Sequence, residues 1–160
     1  MNPNTETAVD DTVQRVLAAH QDLPGALLPV LHAIQEAHGY IPDSSVAPIA
    51  QALNLSRAEV HGVITYFHFF RREPPGRHLI QVCRAEACQA CGSEQLLAEA
   101  EKKLGCKLHE TRADGAVTLE PVYCLGLCAS APSLQVDDQV HARMTSAKLA
   151  KLLAELEAAR

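Results

Sequence analysis

The decisive stretch runs from Leu79 to Cys128. Leu79-Ile80-Gln81-Val82 leads into Cys83-Arg84-Ala85-Glu86-Ala87-Cys88-Gln89-Ala90-Cys91. Val117-Thr118-Leu119-Glu120-Pro121-Val122-Tyr123 leads into Cys124-Leu125-Gly126-Leu127-Cys128. Each apolar run reads as a β-strand, and each is followed by a short cysteine loop. Five of the six cysteines lie in these two loops. Loops at the ends of neighbouring strands can meet in space, so the spacing predicts one metal centre, with an iron–sulfur electron carrier as the leading reading.

Working outward, Arg71-Arg72-Glu73-Pro74-Pro75-Gly76 is the clearest boundary in the chain. It predicts two domains, residues 1–75 and 76–160. Beyond it the pattern predicts a strand over 78–83 and a helix over 93–104, with Leu96, Leu97, Ala100 and Leu104 inward and Gly105 as its stop. A hairpin is expected from 107–112 and 117–123, and another from 133–136 and 139–143 turning at Asp137-Asp138. Thr145 or Ser146 caps a final helix whose stripe is Leu149, Leu152, Leu153 and Leu156. The second domain is therefore α/β or α+β.

Before the boundary everything reads as helix. Residues 1 to about 9 are polar and expected to be loose. A helix starts at Asp10 or Asp11 and breaks at Gln21-Asp22-Leu23-Pro24-Gly25. A second covers 26–38 and stops at Gly39. Ser44 or Ser45 caps a third through Leu53. Ser56-Arg57-Ala58-Glu59 has the form of a capping box and opens a fourth, with Val60, Val63, Ile64 and Phe67 on one face.

Composition narrows the function. The net charge of −5 and pI near 5.9 argue against a nucleic-acid footprint, which needs a basic face, and against an anionic membrane surface. Apolar stretches fall short of the ~20 residues a spanning helix needs. Met1-Asn2-Pro3-Asn4-Thr5-Glu6-Thr7 has neither a basic nor an apolar leader region. A cytoplasmic location is expected, where disulfides are rare and clustered cysteines bind metal or do redox chemistry. There is no tryptophan, so a stacking platform for single strands is not expected.

Three four-cysteine sets compete. Cys83, Cys88, Cys124 and Cys128 give C-x4-C and C-x3-C. Cys83, Cys88, Cys91 and Cys124 give a plant-type ferredoxin spacing. Cys88, Cys91, Cys124 and Cys128 give two zinc knuckles. A fourth reading needs no metal: Cys88-Gln89-Ala90-Cys91 as a thioredoxin-type dithiol. A two-iron cluster wants two thiolates per iron, which suits two cysteine pairs on facing loops. Gly126 lets its loop turn tightly and present N–H donors to sulfur. The zinc reading leaves Cys83 without a role, and the dithiol reading leaves the second pair without one. Spacing alone leaves these sets open.

The pattern C-x4-C-x35-C-x3-C, with Ala131-Pro132 following, resembles the thioredoxin-like [2Fe-2S] subunits of NADH dehydrogenase-type modules. Gly25-Ala26-Leu27-Leu28-Pro29-Val30-Leu31, His38-Gly39-Tyr40-Ile41-Pro42, and the segment from Leu53-Asn54-Leu55-Ser56 to Thr65-Tyr66-Phe67 resemble that family's helical domain. Arg84-Ala85-Glu86-Ala87-Cys88-Gln89 looks most like the γ subunit of NAD-dependent, molybdenum-containing formate dehydrogenases. The resemblance implies a helical bundle followed by a thioredoxin-like domain, and one [2Fe-2S] cluster on Cys83, Cys88, Cys124 and Cys128. It implies partner subunits carrying FMN, the NAD site and the molybdenum cofactor within a hetero-oligomeric oxidoreductase. The equivalent subunit of respiratory complex I or of an NAD-reducing hydrogenase is the alternative. Cys91 departs from the family pattern and is expected to be an incidental buried thiol. Cys106 is expected in the core.

The remaining features carry less. Residues 44–67 mimic a helix-turn-helix, which with a cluster would make an iron–sulfur transcription regulator. However, five arginines face eight acidic residues up to Arg77, the wrong balance for binding phosphate. His61 and His68 fall seven apart, as if on one helix face. Arg71, Arg72 and Arg77 suit either an acidic partner or a solvated loop. No G-x-G-x-x-G, P-loop or acid–base constellation is present, so catalysis within this chain is not expected.

Overall fold

The computed structural model describes residues 3–20 and 22–158, with side chains from residue 11 onward. Met1, Asn2, Gln21, Ala159 and Arg160 lie outside the described residues. Contacts divide the chain into two units, 1–74 and 75–160.

The first unit is helical. Helix α1 spans Pro3–His20 and α2 spans Leu27–His38, followed by a 3-10 turn over Asp43–Ser45. Helices α3 and α4 span Val46–Ala52 and Arg57–Tyr66. The expectation of a loose stretch to residue 9 is corrected, since α1 already runs from Pro3. Proline suits a first helical position, where its missing N–H has no intrahelical partner to lose. Gly39 ends α2 in the left-handed region (φ 79°), its N–H bonded to Gln35 O. The box at α4 is complete: Ser56 Oγ accepts from Glu59 N, and Glu59 Oε2 accepts from Ser56 N. Ser45 does not cap α3. It is buried, and its hydroxyl donates to Pro42 O at 2.6 Å.

Val13, Leu17, Val30, Leu31, Ile34, Ile49, Val60 and Ile64 form this unit's core. Gln35, only 3% exposed, ties the segment after α4 to α2. Its Nε2 donates to Phe69 O at 2.9 Å, and its Oε1 accepts from Arg71 N at 2.7 Å. Because α4 ends at Tyr66, His68 lies beyond the helix and shares no helix face with His61. Arg71 Nε donates to Gly39 O, and Arg72 makes a bidentate pair with Asp43. Two of the three connector arginines thus already serve this unit.

In the second unit β1 is His78–Cys83, followed by short helix α5 (Glu86–Ala90) and α6 (Ser93–Leu104). Strands β2 (Glu110–Thr111) and β3 (Val117–Val122) come next. A 3-10 turn over Cys128–Ser130 precedes β4 (Leu134–Val136), β5 (Gln139–His141) and α7 (Ser146–Ala158). The sheet order is β2-β3-β1-β4-β5. β1 and β3 are parallel and every other pair is antiparallel, an α+β arrangement. Pleat alternation puts Ile80, Val82, Val117, Leu119, Leu134 and Val136 on one face. There they pack with Leu96, Leu97, Ala100 and Leu104 of α6 and with Leu149 and Leu153 of α7. Thr145 Oγ1 accepts from Lys148 N at the start of α7.

The parallel pair positions the site. Cys83 pairs with Val122, so both strands end at the same edge and deliver Cys83 and Cys124 together. β4 enters antiparallel beside β1, so the segment before it passes the same edge, where Cys83 N donates to Ser133 O at 3.1 Å. The Ala131–Pro132 peptide bond there is cis. Among the described residues no helix is long and apolar enough to cross a membrane.

Candidate metal centre

Cys83 closes β1 and is buried. The next residues turn back over it and form α5, which places Cys88, also buried, beside it. That short helix is absent from the sequence expectation, which treats residues 83–91 as loop. Arg84 holds the turn in place. Its guanidinium grips Glu94 on α6 through Nε–Oε1 at 2.9 Å and Nη2–Oε2 at 3.0 Å, while its carbonyl accepts from Gln89 Nε2.

The second loop is open to solvent. Cys124 takes φ +105°, and Gly126 follows at φ +75°. The Gly126 N–H donates to Cys124 Sγ at 3.3 Å. Cys124 Sγ and Cys128 Sγ lie 3.7 Å apart, and both residues are exposed.

The two loops meet. Burial pushes the Cys83 thiol up, but the Ala85 N–H, the Cys88 thiol and the Cys124 and Leu125 N–H groups outweigh it and hold Cys83 below the usual thiol range. Cys128 is pushed up, first by its hydrogen bond with Cys124 and the charge there, then by desolvation and the charge on Cys88. The sulfurs therefore stand as two pairs, Cys83 with Cys88 and Cys124 with Cys128, each pair sensing the other. No group of three Cys, His, Asp or Glu side chains among the described residues is placed to hold a single metal ion.

The other cysteines stand apart. Cys91 caps the end of α5 and is exposed, not buried as expected. It makes no hydrogen bond to the four sulfurs among the described residues. Cys106 is buried in the core, and burial pushes its thiol up. The dithiol reading loses ground, because an attacking thiol must be accessible and Cys88 is 2% exposed. The zinc-knuckle set loses ground as well, since Cys88 pairs with Cys83 and not with Cys91. Sequence reasoning missed Ser133. It is fully buried, with its Oγ 3.5 Å from Cys88 Sγ; its place directly after Ala131-Pro132 was the available signal.

Four sulfur donors in two pairs, with N–H groups aimed at them, fit a two-iron cluster. When bound, such a cluster supplies one-electron uptake and release.

A family model described as thioredoxin-like [2Fe-2S] ferredoxin matches residues 13–157. An NADH-quinone oxidoreductase E subunit of Rhizobium meliloti (strain 1021) is 38% identical over 149 residues, covering 93% of this chain and 89% of the relative. The NADH-quinone oxidoreductase E subunit of Escherichia coli (strain K12) is 32% identical over 156 residues, covering 94% of each. Among solved structures, an NAD+-reducing [NiFe]-hydrogenase in the air-oxidized state matches with a TM-score of 0.70 at 22% identity. That match covers 86% of this chain and 24% of the hydrogenase chain, and the likeness is one of fold.

Proposed function

Because the chain belongs to the thioredoxin-like [2Fe-2S] ferredoxin family, we propose that it is the electron-transfer subunit of an NAD-linked oxidoreductase complex. Cys83, Cys88, Cys124 and Cys128 hold its one [2Fe-2S] cluster. The observation that carries this is the pairing of the four sulfurs at one edge of the sheet. Cys83 and Cys88 hold the cluster from inside the fold. Cys124 and Cys128 are the exposed ligands, so a flavin-bearing, NADH-binding partner approaches on their side. The N–H groups of Ala85, Cys124, Leu125 and Gly126 offset thiolate charge and orient the ligands. The units at 1–74 and 75–160 act as separate domains, and the complex is cytoplasmic.

The finer reading is the γ subunit of an NAD-dependent, molybdenum-containing formate dehydrogenase. It is supported by the loop from Arg84 to Gln89. The second reading, a subunit of an NADH–quinone oxidoreductase, is favoured by the names of the relatives quoted above.

Two experiments test the proposal. Anaerobically purified chain should contain about two irons, as two thiolate pairs would hold, and give an S = 1/2 EPR signal after dithionite. A chain that stays colourless after reconstitution with iron and sulfide refutes the electron-carrier reading. Affinity purification of the tagged chain with its native partners then separates the finer readings. Formate-dependent NAD reduction supports the first, and NADH-dependent quinone reduction replaces it with the second.

A further inference from the structure

Ser133 sits at the inner wall of the cysteine edge and is 0% exposed. Its carbonyl accepts from Cys83 N at 3.1 Å, so the residue is pinned to the end of β1. Its hydroxyl has one hydrogen-bond partner among the described residues, Cys88 Sγ at 3.5 Å, itself 2% exposed. Between two neutral groups either atom can donate. A thiolate bound to iron has no proton, so once Cys88 is a ligand only the Ser133 O–H can donate. A buried hydroxyl leaves its proton unpaired only at a cost, which fixes the rotor toward sulfur.

We propose that Ser133 is a positioning residue that donates a hydrogen bond to Cys88 Sγ and raises the reduction potential of the cluster. The proposal rests on the ligand set above. Reduction adds negative charge that spreads onto the ligand sulfurs. A donor at 3.5 Å from a buried sulfur stabilises the reduced state more than the oxidised one. Three of the four sulfurs can draw on backbone or solvent: Cys83 on the N–H groups of Ala85, Cys124 and Leu125, Cys124 on Gly126, and Cys128 on water at its exposed position. For the buried Cys88, Ser133 is the donor the fold supplies.

The test uses the full-length chain loaded with iron and sulfide, with wild type, Ser133→Ala and Ser133→Gly compared. Redox titration followed by EPR reads the midpoint potential. Pulsed EPR of the reduced protein in H2O and D2O reads the exchangeable protons coupled to the cluster. Ser133→Ala should lower the potential and lose one exchangeable proton, and Ser133→Gly should do the same. Unchanged potential and proton couplings in Ser133→Ala overturn the proposal. So does a shift that differs between the two variants with no proton lost, which signals packing alone. Should both variants fail to hold iron, Ser133→Thr, which keeps the hydroxyl, decides. A wild-type potential with the exchangeable proton retained supports the donor, and a Ser133→Thr chain that loses the iron or the proton coupling overturns it. A wild-type chain that takes up no cluster overturns the ligand set, and this proposal with it.

Discussion

Gly76 reads in the sequence as the tail of a linker, but the structure packs it against the sheet. A Cβ built there would lie 2.9 Å from both C and N of Val117 and 3.0 Å from Gly115 O. Carbon atoms pack at about 3.5–4.0 Å, so Gly76→Ala must force the two backbones apart. The next two residues resist, because Arg77 N bonds Gly115 O and His78 N bonds Ala116 O, both at 3.0 Å. Overpacking of this kind costs about 1–3 kcal/mol. Losing the 2.7 Å bond from Gly76 N to Thr118 Oγ1 adds about 1 kcal/mol. Lower entropy of the unfolded alanine chain returns about 0.4–1 kcal/mol, leaving a net loss of about 1–3.6 kcal/mol. Gly62 is the control. It is exposed on α4 with nothing within 4 Å of a built Cβ, so Gly62→Ala should gain about 0.5–1 kcal/mol. Urea unfolding followed by far-UV circular dichroism reads both; with a slope of about 1–3 kcal/mol per molar, midpoints should move in opposite directions. A Gly76→Ala protein as stable as wild type refutes the close-approach argument.

Cys91→Ser should retain full iron content and an unchanged EPR signal, whereas serine at Cys83, Cys88, Cys124 or Cys128 should lower or alter both; iron loss from Cys91→Ser would move Cys91 into the ligand set. Gln35→Leu removes the side-chain bonds to the Phe69 carbonyl and the Arg71 N–H. At about 0.5–1.5 kcal/mol per hydrogen bond, a loss of about 1–3 kcal/mol is expected in urea unfolding, and a loss below about 0.5 kcal/mol would show that the clamp is dispensable. The Ser56 N–H, then its hydroxyl, hold Glu59 below the usual carboxylate value. A depressed folded pKa means its stabilisation is present above the unfolded value and lost as pH falls through the folded one. The midpoint gap between wild type and Glu59→Gln should therefore shrink from neutral pH to about pH 3, and a constant gap contradicts the assignment.

Elements that depend on near neighbours were legible in the sequence. The bounds of β1 and α6 follow from apolar periodicity and from Gly105, the end of α2 from Gly39, and the start of α4 from Ser56 and Glu59. For the helix ends the deciding contacts lie within four residues along the chain, and for β1 the signal is its own apolar run. Ser45 misled because a buried hydroxyl found Pro42 O instead of a helix N–H. Helix α5 was hidden because five residues are too few to show a period, and its place is held by Arg84 reaching Glu94 and by packing of Cys88. Cys91 was misplaced because nothing local distinguishes the exposed end of a single helical turn from its buried side.

Sequence alone therefore determined most of the element types, many of their ends and the family, through short-range hydrogen bonds, apolar period and cysteine spacing. Tertiary structure alone decided that β3 lies parallel to β1, so that their ends and the start of β4 share one edge. It thereby decided which cysteine is buried, which pairs with which, and that Ser133 and Gln35 have work to do. Those outcomes arise from contacts between residues tens of positions apart, where only chain closure and burial bring the partners together.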